Sequence, residues 1–353
     1  MKIALITDTH FGARNDSLPF NEYFYKFWEE VFFPYIDKHN IKTIIHLGDT
    51  MDRRKFVSYK IANDFRRRFI TPIVDRNIDT HILIGNHDTY YKNTNEVNSV
   101  AELVGNKYSN IKYYAECDTV NFDGTPIHFV PWINADNYGG TIQSIKETNA
   151  KICMGHLEIN GFEMHKGHFS ENGYPKEIFK KFSTVLSGHF HKKSDDGQIY
   201  YLGATYQMTW SDDGCPKGFH IFDTKTMDME RIVNPYTIFE KIYYDDTTTD
   251  YSKIETKKYR DKFIKLVVVN KKDLYQFDRF TDKLLQEQTH EVKIVEDFSE
   301  LDASNVSDDI AENTQDTNAI LEKYVDELDT ELDKKRLKNT LKSLYLEACD
   351  LEI

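Results

Sequence analysis

Five short apolar runs in this chain each end in a loop that offers carboxylate, imidazole or amide groups. Ile3-Ala4-Leu5-Ile6 leads to Asp8 and His10, Ile44-Ile45-His46-Leu47 to Gly48-Asp49, and Ile82-Leu83-Ile84 to Gly85-Asn86-His87-Asp88. Ile152-Cys153-Met154 leads to Gly155-His156, and Val185-Leu186 to Gly188-His189-Phe190-His191. Runs of this length, rich in β-branched residues and leucine, read as buried strands, with the glycines marking where the backbone turns out of them. In open α/β sheets ligands bind at the carboxyl ends of the strands, where the loops converge on one crevice. The repetition predicts one shared site built from five strand ends.

With 353 residues, 40% of them hydrophobic and 14% aromatic, the chain can bury a large core, and its length suggests one big domain with smaller additions. No apolar stretch approaches the roughly 20 residues of a membrane span, and the first residues read as a strand instead of a signal sequence, so a cytoplasmic address is expected. The cysteines at 117, 153, 215 and 349 are scattered, which indicates neither a thiolate metal site nor a disulfide framework. A net charge of −13 argues against nonspecific coating of nucleic acid. Much of the acidity lies near the C-terminus, however, whereas Arg53-Arg54-Lys55 and Arg66-Arg67-Arg68 form basic clusters close to the strand-end loops. Those clusters read equally as solvated helix faces or as phosphate contacts.

Along the chain, Phe20, Tyr23, Phe24, Phe27, Trp28, Val31 and Phe32 repeat at helical spacing and predict a helix over 20–36 whose aromatic stripe packs on a sheet. A second helix is predicted over 56–70, ending before Thr71-Pro72, and others over 96–106 and 139–148. Strand, helix, strand, helix, strand favours a sheet with parallel members. Strands at 111–114 and 120–130, the latter turning at Asp123-Gly124, suggest a second, more antiparallel sheet. The segments 198–202, 218–223 and 227–233 read as closing strands. The predicted fold class is α/β: two mixed sheets flanked by helices over residues 1–235, then a small strand-helix-strand cap over 236–296. An acidic linker at 297–315 and a helical segment at 316–353 follow.

The loop chemistry is specific in kind. Asp8 with His10 and His189 with His191 lie at i and i+2, which in a strand point to one side. Asp49, beside Gly48, can bridge two cations with its carboxylate. Asn86 offers an amide oxygen and His156 a ring nitrogen. Asp8, His10, Asp49, Asn86, His156, His189 and His191 make a mixed oxygen and nitrogen set without sulfur, which suits manganese, iron or zinc in a two-metal arrangement.

The ordered motifs Asp8-x-His10, Gly48-Asp49-x-x-Asp52-Arg53, Gly85-Asn86-His87-Asp88, Gly155-His156 and Gly188-His189-x-His191 resemble the signature of the calcineurin-like metallophosphoesterase superfamily. Within it the chain is similar to the nuclease subunits of SbcC–SbcD-type recombination and repair complexes, including the recombination endonuclease subunits of T-even-like phages. Tyr91-Lys92-Asn93, Val130-Pro131-Trp132, Gly161-Phe162, Tyr201-Leu202-Gly203 and Lys217-Gly218-Phe219 support this. The resemblance implies a four-layer α/β/β/α sandwich and two Mn²⁺ ions, with Mg²⁺, Fe²⁺ or Zn²⁺ as alternatives. It also implies action on double-stranded DNA ends, homodimerisation and an SMC-like, SbcC-type coiled-coil ATPase partner. One metal would take Asp8, His10 and His191, the other Asn86, His156 and His189, with Asp49 between them. His87 would be catalytic without ligating, and Asp52 would orient it. Arg14, Arg53, Arg54 and Lys55 are the candidate DNA contacts.

The competing reading is a phosphomonoesterase or protein phosphatase on the same metal centre, and a third is a metal-free scaffold. Asp88, where protein phosphatases typically carry glutamate, and the additions after residue 235 favour the nuclease; a complete ligand set disfavours the scaffold. Dimerisation is expected through the helices at 56–70 and 96–106, which offer Phe65, Phe69, Ile70, Val100, Leu103 and Val104. In the tail, Leu321, Tyr324 and Leu328 lie on one helical stripe and Leu337, Leu341 and Leu344 on another, predicting a hairpin that binds the ATPase.

Overall fold

The computed structural model describes residues 1–165, 168–171, 173–296, 324–325, 334–338 and 340–341. The first half supplies β1 (Lys2–Ile6), β2 (Thr43–His46), β3 (Asp79–Leu83), β4 (Ile111–Tyr114), β5 (Asp118–Phe122) and β6 (Thr125–Val130). Then come β7 (Ile152–His156), β8 (Glu163–His165), β9 (His168–Phe169), β10 (Thr184–Gly188), β11 (Ser194–Asp195) and β12 (Ile199–Tyr201). The last are β13 (Gly218–Asp223), β14 (Met229–Val233), β15 (Phe239–Asp245), β16 (Phe263–Asn270) and β17 (Glu291–Val295).

Two six-stranded sheets form, in the orders β14-β13-β1-β2-β3-β4 and β11-β12-β10-β7-β6-β5. In the first, β1 to β4 are parallel neighbours, and β13 and β14 continue it by antiparallel pairing. The second sheet departs from the antiparallel expectation. β6, β7, β10 and β12 pair in parallel, and only the edges β5 and β11 are antiparallel. The reason lies in the connections: the helix Tyr138–Glu147 carries the chain from β6 back to the start of β7, and residues 157–183 do the same before β10. The antiparallel edges are joined tightly instead, β5 to β6 through Asp123 and Gly124 at φ 53° and 86°, and β11 to β12 through residues 196–198 with Gly197 at φ 91°.

Strand alternation sorts the core into three layers. Ile3, Leu5, Ile45 and Leu47 face Phe129, Ile152, Met154 and Leu186 between the sheets. Ala4, Ile6, Ile44 and Ile82 face outward to the aromatic helix, and Cys153 and Val185 face the helix that carries Ile145. The result is the expected α/β/β/α stack. A third sheet, β15-β16-β17, is wholly parallel and packs on the helix Leu274–Gln286 through Tyr244, Leu266, Phe277 and Phe280.

The two long helices differ from their predicted bounds. Leu18–Phe27 runs through a π-type turn, Trp28–Phe32, into Phe33–Lys38. Tyr59–Asp64, capped by the Ser58 hydroxyl, runs through Phe65–Ile70 into Thr71–Asp75, so Thr71-Pro72 does not end it. A proline ring ordinarily collides with the carbonyl four residues back. Here the N–H just before each proline bonds five residues back, Phe33 to Trp28 and Thr71 to Arg66, and the widened turn makes room.

Phe65, Phe69, Ile70, Val100 and Val104 are buried in this chain's own core, while Phe65, Ile70 and Val104 also line a groove between the two helices together with Leu103. In the tail, Tyr324 is helical and exposed, and Leu337 and Leu341 are helical and half-buried. Leu321, Leu328, Leu344 and the linker at 297–315 lie outside the described residues. Among the described residues no helix is long and apolar enough to cross a membrane.

Candidate metal centre

The carboxyl ends of both large sheets meet at one place, and the backbone there is unusual. Asp8, His10, Asp49 and His189 have φ of 50°, 40°, 56° and 88°, a region that residues with side chains seldom adopt. Asp8 and His10 therefore converge through left-handed turns just beyond β1, not through the side alternation of a strand. Backbone bonds hold this geometry: Asp8 N–H donates to the Gly48 carbonyl (3.0 Å), Thr9 N–H to Asp49 (2.9 Å) and Phe11 N–H to Thr50 (2.9 Å). Phe11 then anchors the loop in the core among Tyr25, Trp28, Phe65 and Phe69. Emptying such a buried aromatic site costs about 3–5 kcal/mol. Gly48, at φ 99°, has the His156 ring where a Cβ would stand (2.6 Å to Nδ1), and a Cβ on Gly85 would strike the Asp49 carboxylate.

The side chains form two overlapping groups. His10 Nε2 lies 3.1 Å from His191 Nε2, and His191 Nε2 lies 3.9 Å from Asp8 Oδ1. Asn86 Oδ1 lies 2.9 Å from His156 Nε2 and 3.0 Å from His189 Nδ1. Asp49 Oδ2 faces both groups, 3.7 Å from His10 Nε2 and 3.2 Å from His156 Nε2. Asp8 with His10 and His191, and Asp49 with His156 and His189, each bring ligand atoms within 4.8 Å of one another. His10, Asp49 and His87 do so as well.

So many lone-pair donors aimed at each other fit cations better than they fit mutual hydrogen bonds. Asn86 Nδ2 is buried without a hydrogen-bond partner while its oxygen faces two imidazoles, the orientation a metal-bound amide would have. Burial works against the charged forms of His10 and His156. The Asp52 and Asp49 carboxylates nevertheless outweigh it for His10, and Asp49 and Asp8 for His156, lifting both to about 9. Burial and then His156 push His189 down to about 3. Burial likewise opposes the charge on Asp49, yet His156 and His87 hold its carboxyl well below the ordinary range. Positive charge placed among these groups relieves the burial of the carboxylates.

The calcineurin-like phosphoesterase family matches residues 1–193, more than half of the chain. The chain belongs to the calcineurin-like metallophosphoesterases. It is 33% identical over 318 residues to exonuclease subunit 1 of Enterobacteria phage T4, covering 89% of this chain and 90% of that protein. Among solved structures it is similar to a novel archaeal phosphodiesterase (16% identity, TM-score 0.34), covering 66% of this chain and 100% of that one. It is also similar to GAP50, the anchor in the inner membrane complex of Plasmodium (10% identity, TM-score 0.41), covering 67% and 90%.

In this metallophosphoesterase all seven sequence-predicted ligands come together. Asp52 is placed differently from expectation. Its carboxylate lies 3.4 Å from His10 Nδ1, whereas His87 Nδ1 meets the Asp52 backbone carbonyl at 2.6 Å. Asp52 therefore orients His10 by its side chain and His87 by its main chain. His87 N–H also donates to Asp49 Oδ1 (2.8 Å).

The candidate DNA contacts are largely engaged within the protein. Arg14 donates to the Met208 carbonyl, Arg53 to Asn15 with Asp16 3.4 Å away, and Arg54 Nε to the Asn86 carbonyl at 2.8 Å. Lys55 is exposed. Arg68 is committed to Glu22 and Glu29.

The supporting roles of four groups escaped the sequence reading. Asp88 is buried and accepts from the N–H groups of Thr50, Met51 and Gly85, each at 3.0 Å, and from the Ser99 hydroxyl, so it fastens two ligand loops together. Gly48 N–H donates to His46 Nδ1, which leaves the His46 Nε2 proton for Thr9 Oγ1 and fixes the tautomer behind Asp49. Lys217, buried and paired with Asp212, donates to the His191 carbonyl at 2.8 Å. Trp132 sets its ring 5.1 Å from that of His189. Lys217 and Trp132 stood inside stretches that matched the family, but only the fold shows what they touch.

Proposed function

We propose that this metallophosphoesterase is a manganese-dependent DNA phosphodiesterase, the nuclease subunit of an SbcC–SbcD-like recombination and double-strand-break repair complex. The observation that carries the reading is the similarity to exonuclease subunit 1, which runs far beyond the family region and spans nine-tenths of both chains. Asp8, His10 and His191 would hold one ion, Asn86, His156 and His189 the other, and Asp49 both. Two divalent ions at this spacing of ligands supply Lewis-acid stabilisation and an activated water when bound.

The chain's own part is orientation and proton handling. The Asp49 main chain is locked by the ladder to Asp8–Phe11, so its carboxylate is fixed before substrate arrives. His87 Nδ1–H is given to the Asp52 carbonyl, so Nε2 is the ring nitrogen left to exchange a proton with the leaving oxygen, donating it when the ring is doubly protonated. Homodimerisation would use a groove of about 440 Å³ between the helices at Tyr59–Asp75 and Ser99–Val104, lined by Tyr59, Ala62, Arg66, Leu103, Lys107 and Tyr108 among others. The ATPase would engage residues 316–353.

The test is incubation of the purified protein with end-labelled duplex DNA and manganese, with and without a co-expressed SMC-like ATPase. Degradation that is faster with the ATPase is the expected result. No degradation in either case, alongside brisk hydrolysis of a small phosphomonoester, would establish the phosphatase reading instead.

A further inference from the structure

The loop that follows Asn86-His87-Asp88 is braced firmly and still leaves aromatic surface in water. Asn95, buried, donates its amide to the carbonyls of Ala115 (3.0 Å) and Trp132 (2.9 Å) and accepts from Asn134 (2.9 Å). Asp136 N–H donates to the Asn93 carbonyl, Tyr90 N–H to Val97, and Ser99 N–H to Asp88. A segment tied down at its two ends and its middle cannot turn its side chains inward by moving. On it Tyr90 and Tyr91 are 41% and 51% exposed, their rings 4.7 Å apart and nearly perpendicular. Asn95 also fixes the turn that carries Trp132, half-buried against the rings of His189 and His156 at 5.1 and 6.1 Å.

Single exposed apolar residues need no explanation. A paired set on a rigid loop, beginning two residues after Asp88 of the ligand motif, marks a contact surface. Its chemistry is flat, neutral and polar only at the tip, which complements a nucleobase and not a phosphate. The acidic balance of the chain points the same way, since a strand held beside this centre gains little from overall charge and must gain from stacking. A base offers its face only when it is unpaired or at a strand end.

We propose that Tyr90 and Tyr91 form a stacking platform for an unpaired nucleobase beside the scissile phosphodiester, with Trp132 walling the metal ligands on the same braced unit. The proposal rests on the nuclease reading and adds to it the side chains that would hold a base that is terminal or freed from its partner.

The experiment compares wild type with the Tyr90→Ala/Tyr91→Ala and Tyr90→Phe/Tyr91→Phe variants. Each is assayed with manganese on a single-stranded oligonucleotide and on methyl p-nitrophenyl phosphate. In the alanine variant the oligonucleotide KM should rise about tenfold, the size of one lost base stack, with a much smaller change in kcat. The ratio of oligonucleotide to small-diester kcat/KM should fall in parallel, and the phenylalanine variant should behave as wild type. Equal loss on both substrates, or loss on neither, would overturn the platform. Wild type that hydrolyses the small diester and leaves the oligonucleotide intact would instead overturn the nuclease reading, and the platform with it.

Discussion

Each large sheet has four mutually parallel strands whose carboxyl ends meet at the metal centre, but the two contribute differently. The loops of the first sheet bring Asp8, His10, Asp49 and Asn86, and those of the second bring His156, His189 and His191. The first set holds every oxygen donor and is wired internally by backbone bonds between 8–11 and 48–50 and by the Asp88 carboxylate. The second set is fastened by reaching across. His156 Nδ1 meets the Leu47 carbonyl at 2.7 Å, His189 N–H donates to the Asp8 carboxylate, and Lys217 holds the His191 carbonyl. The anionic half is thus built by one sheet alone, and the imidazole half is positioned against it.

That difference predicts unequal outcomes for loss of a ligand. Asp49→Ala removes the carboxylate that faces both groups, and elemental analysis should find neither metal retained and no cleavage. His189→Ala should lose one metal and keep the other, because Asp8, His10 and His191 do not depend on it. Equal metal loss in the two variants would mean that the halves assemble together. His87→Ala removes none of the seven expected ligands and should keep both metals while cleavage falls about 10²–10⁴-fold, the usual contribution of a general acid. Since His87 also lies within ligand distance of His10 and Asp49, metal loss in that variant would make it a ligand instead.

Which residues meet was legible in the sequence because strand ends are marked by composition: an apolar run, a glycine, then polar groups. How they meet was not. Left-handed backbone at Asp8, His10 and Asp49 depends on bonds between loops 40 residues apart, so a local i, i+2 argument picked residues that converge, but by a different geometry. The second sheet is more parallel than expected, and Ile111–Tyr114 joins the first sheet, because a strand's pattern says nothing about its neighbour's polarity; the length of the connections does. The helix end at Thr71-Pro72 was misplaced because a π-type turn has no signature in hydrophobic spacing. The contacts of Asp52 with His10 and of Arg54 Nε with the Asn86 carbonyl were not legible either, because a charged residue in a sequence does not show which neighbour it braces.

The smallest predicted effect concerns protons where the halves join. His10, from the first sheet, and His156, from the second, are both raised from 6.5 to about 9 by facing carboxylates. A histidine raised in the folded state contributes stability that is fully present below its unfolded value and is lost as pH rises through its folded value. Without metal, the share of stability that these two histidines contribute should therefore decline between pH 6.5 and 9. Bound cations displace these protons, so divalent metal should both raise the melting temperature and flatten that decline. Melting curves across this range in a chelator and in manganese check the point, with a fall of several degrees expected only in the chelator. His156→Gln should remove the second sheet's share of the slope and leave that of His10. A metal-free profile that is flat from pH 6.5 to 9 would mean that the carboxylates and imidazoles are not in contact before metal binds, and that the ions themselves draw the two halves together.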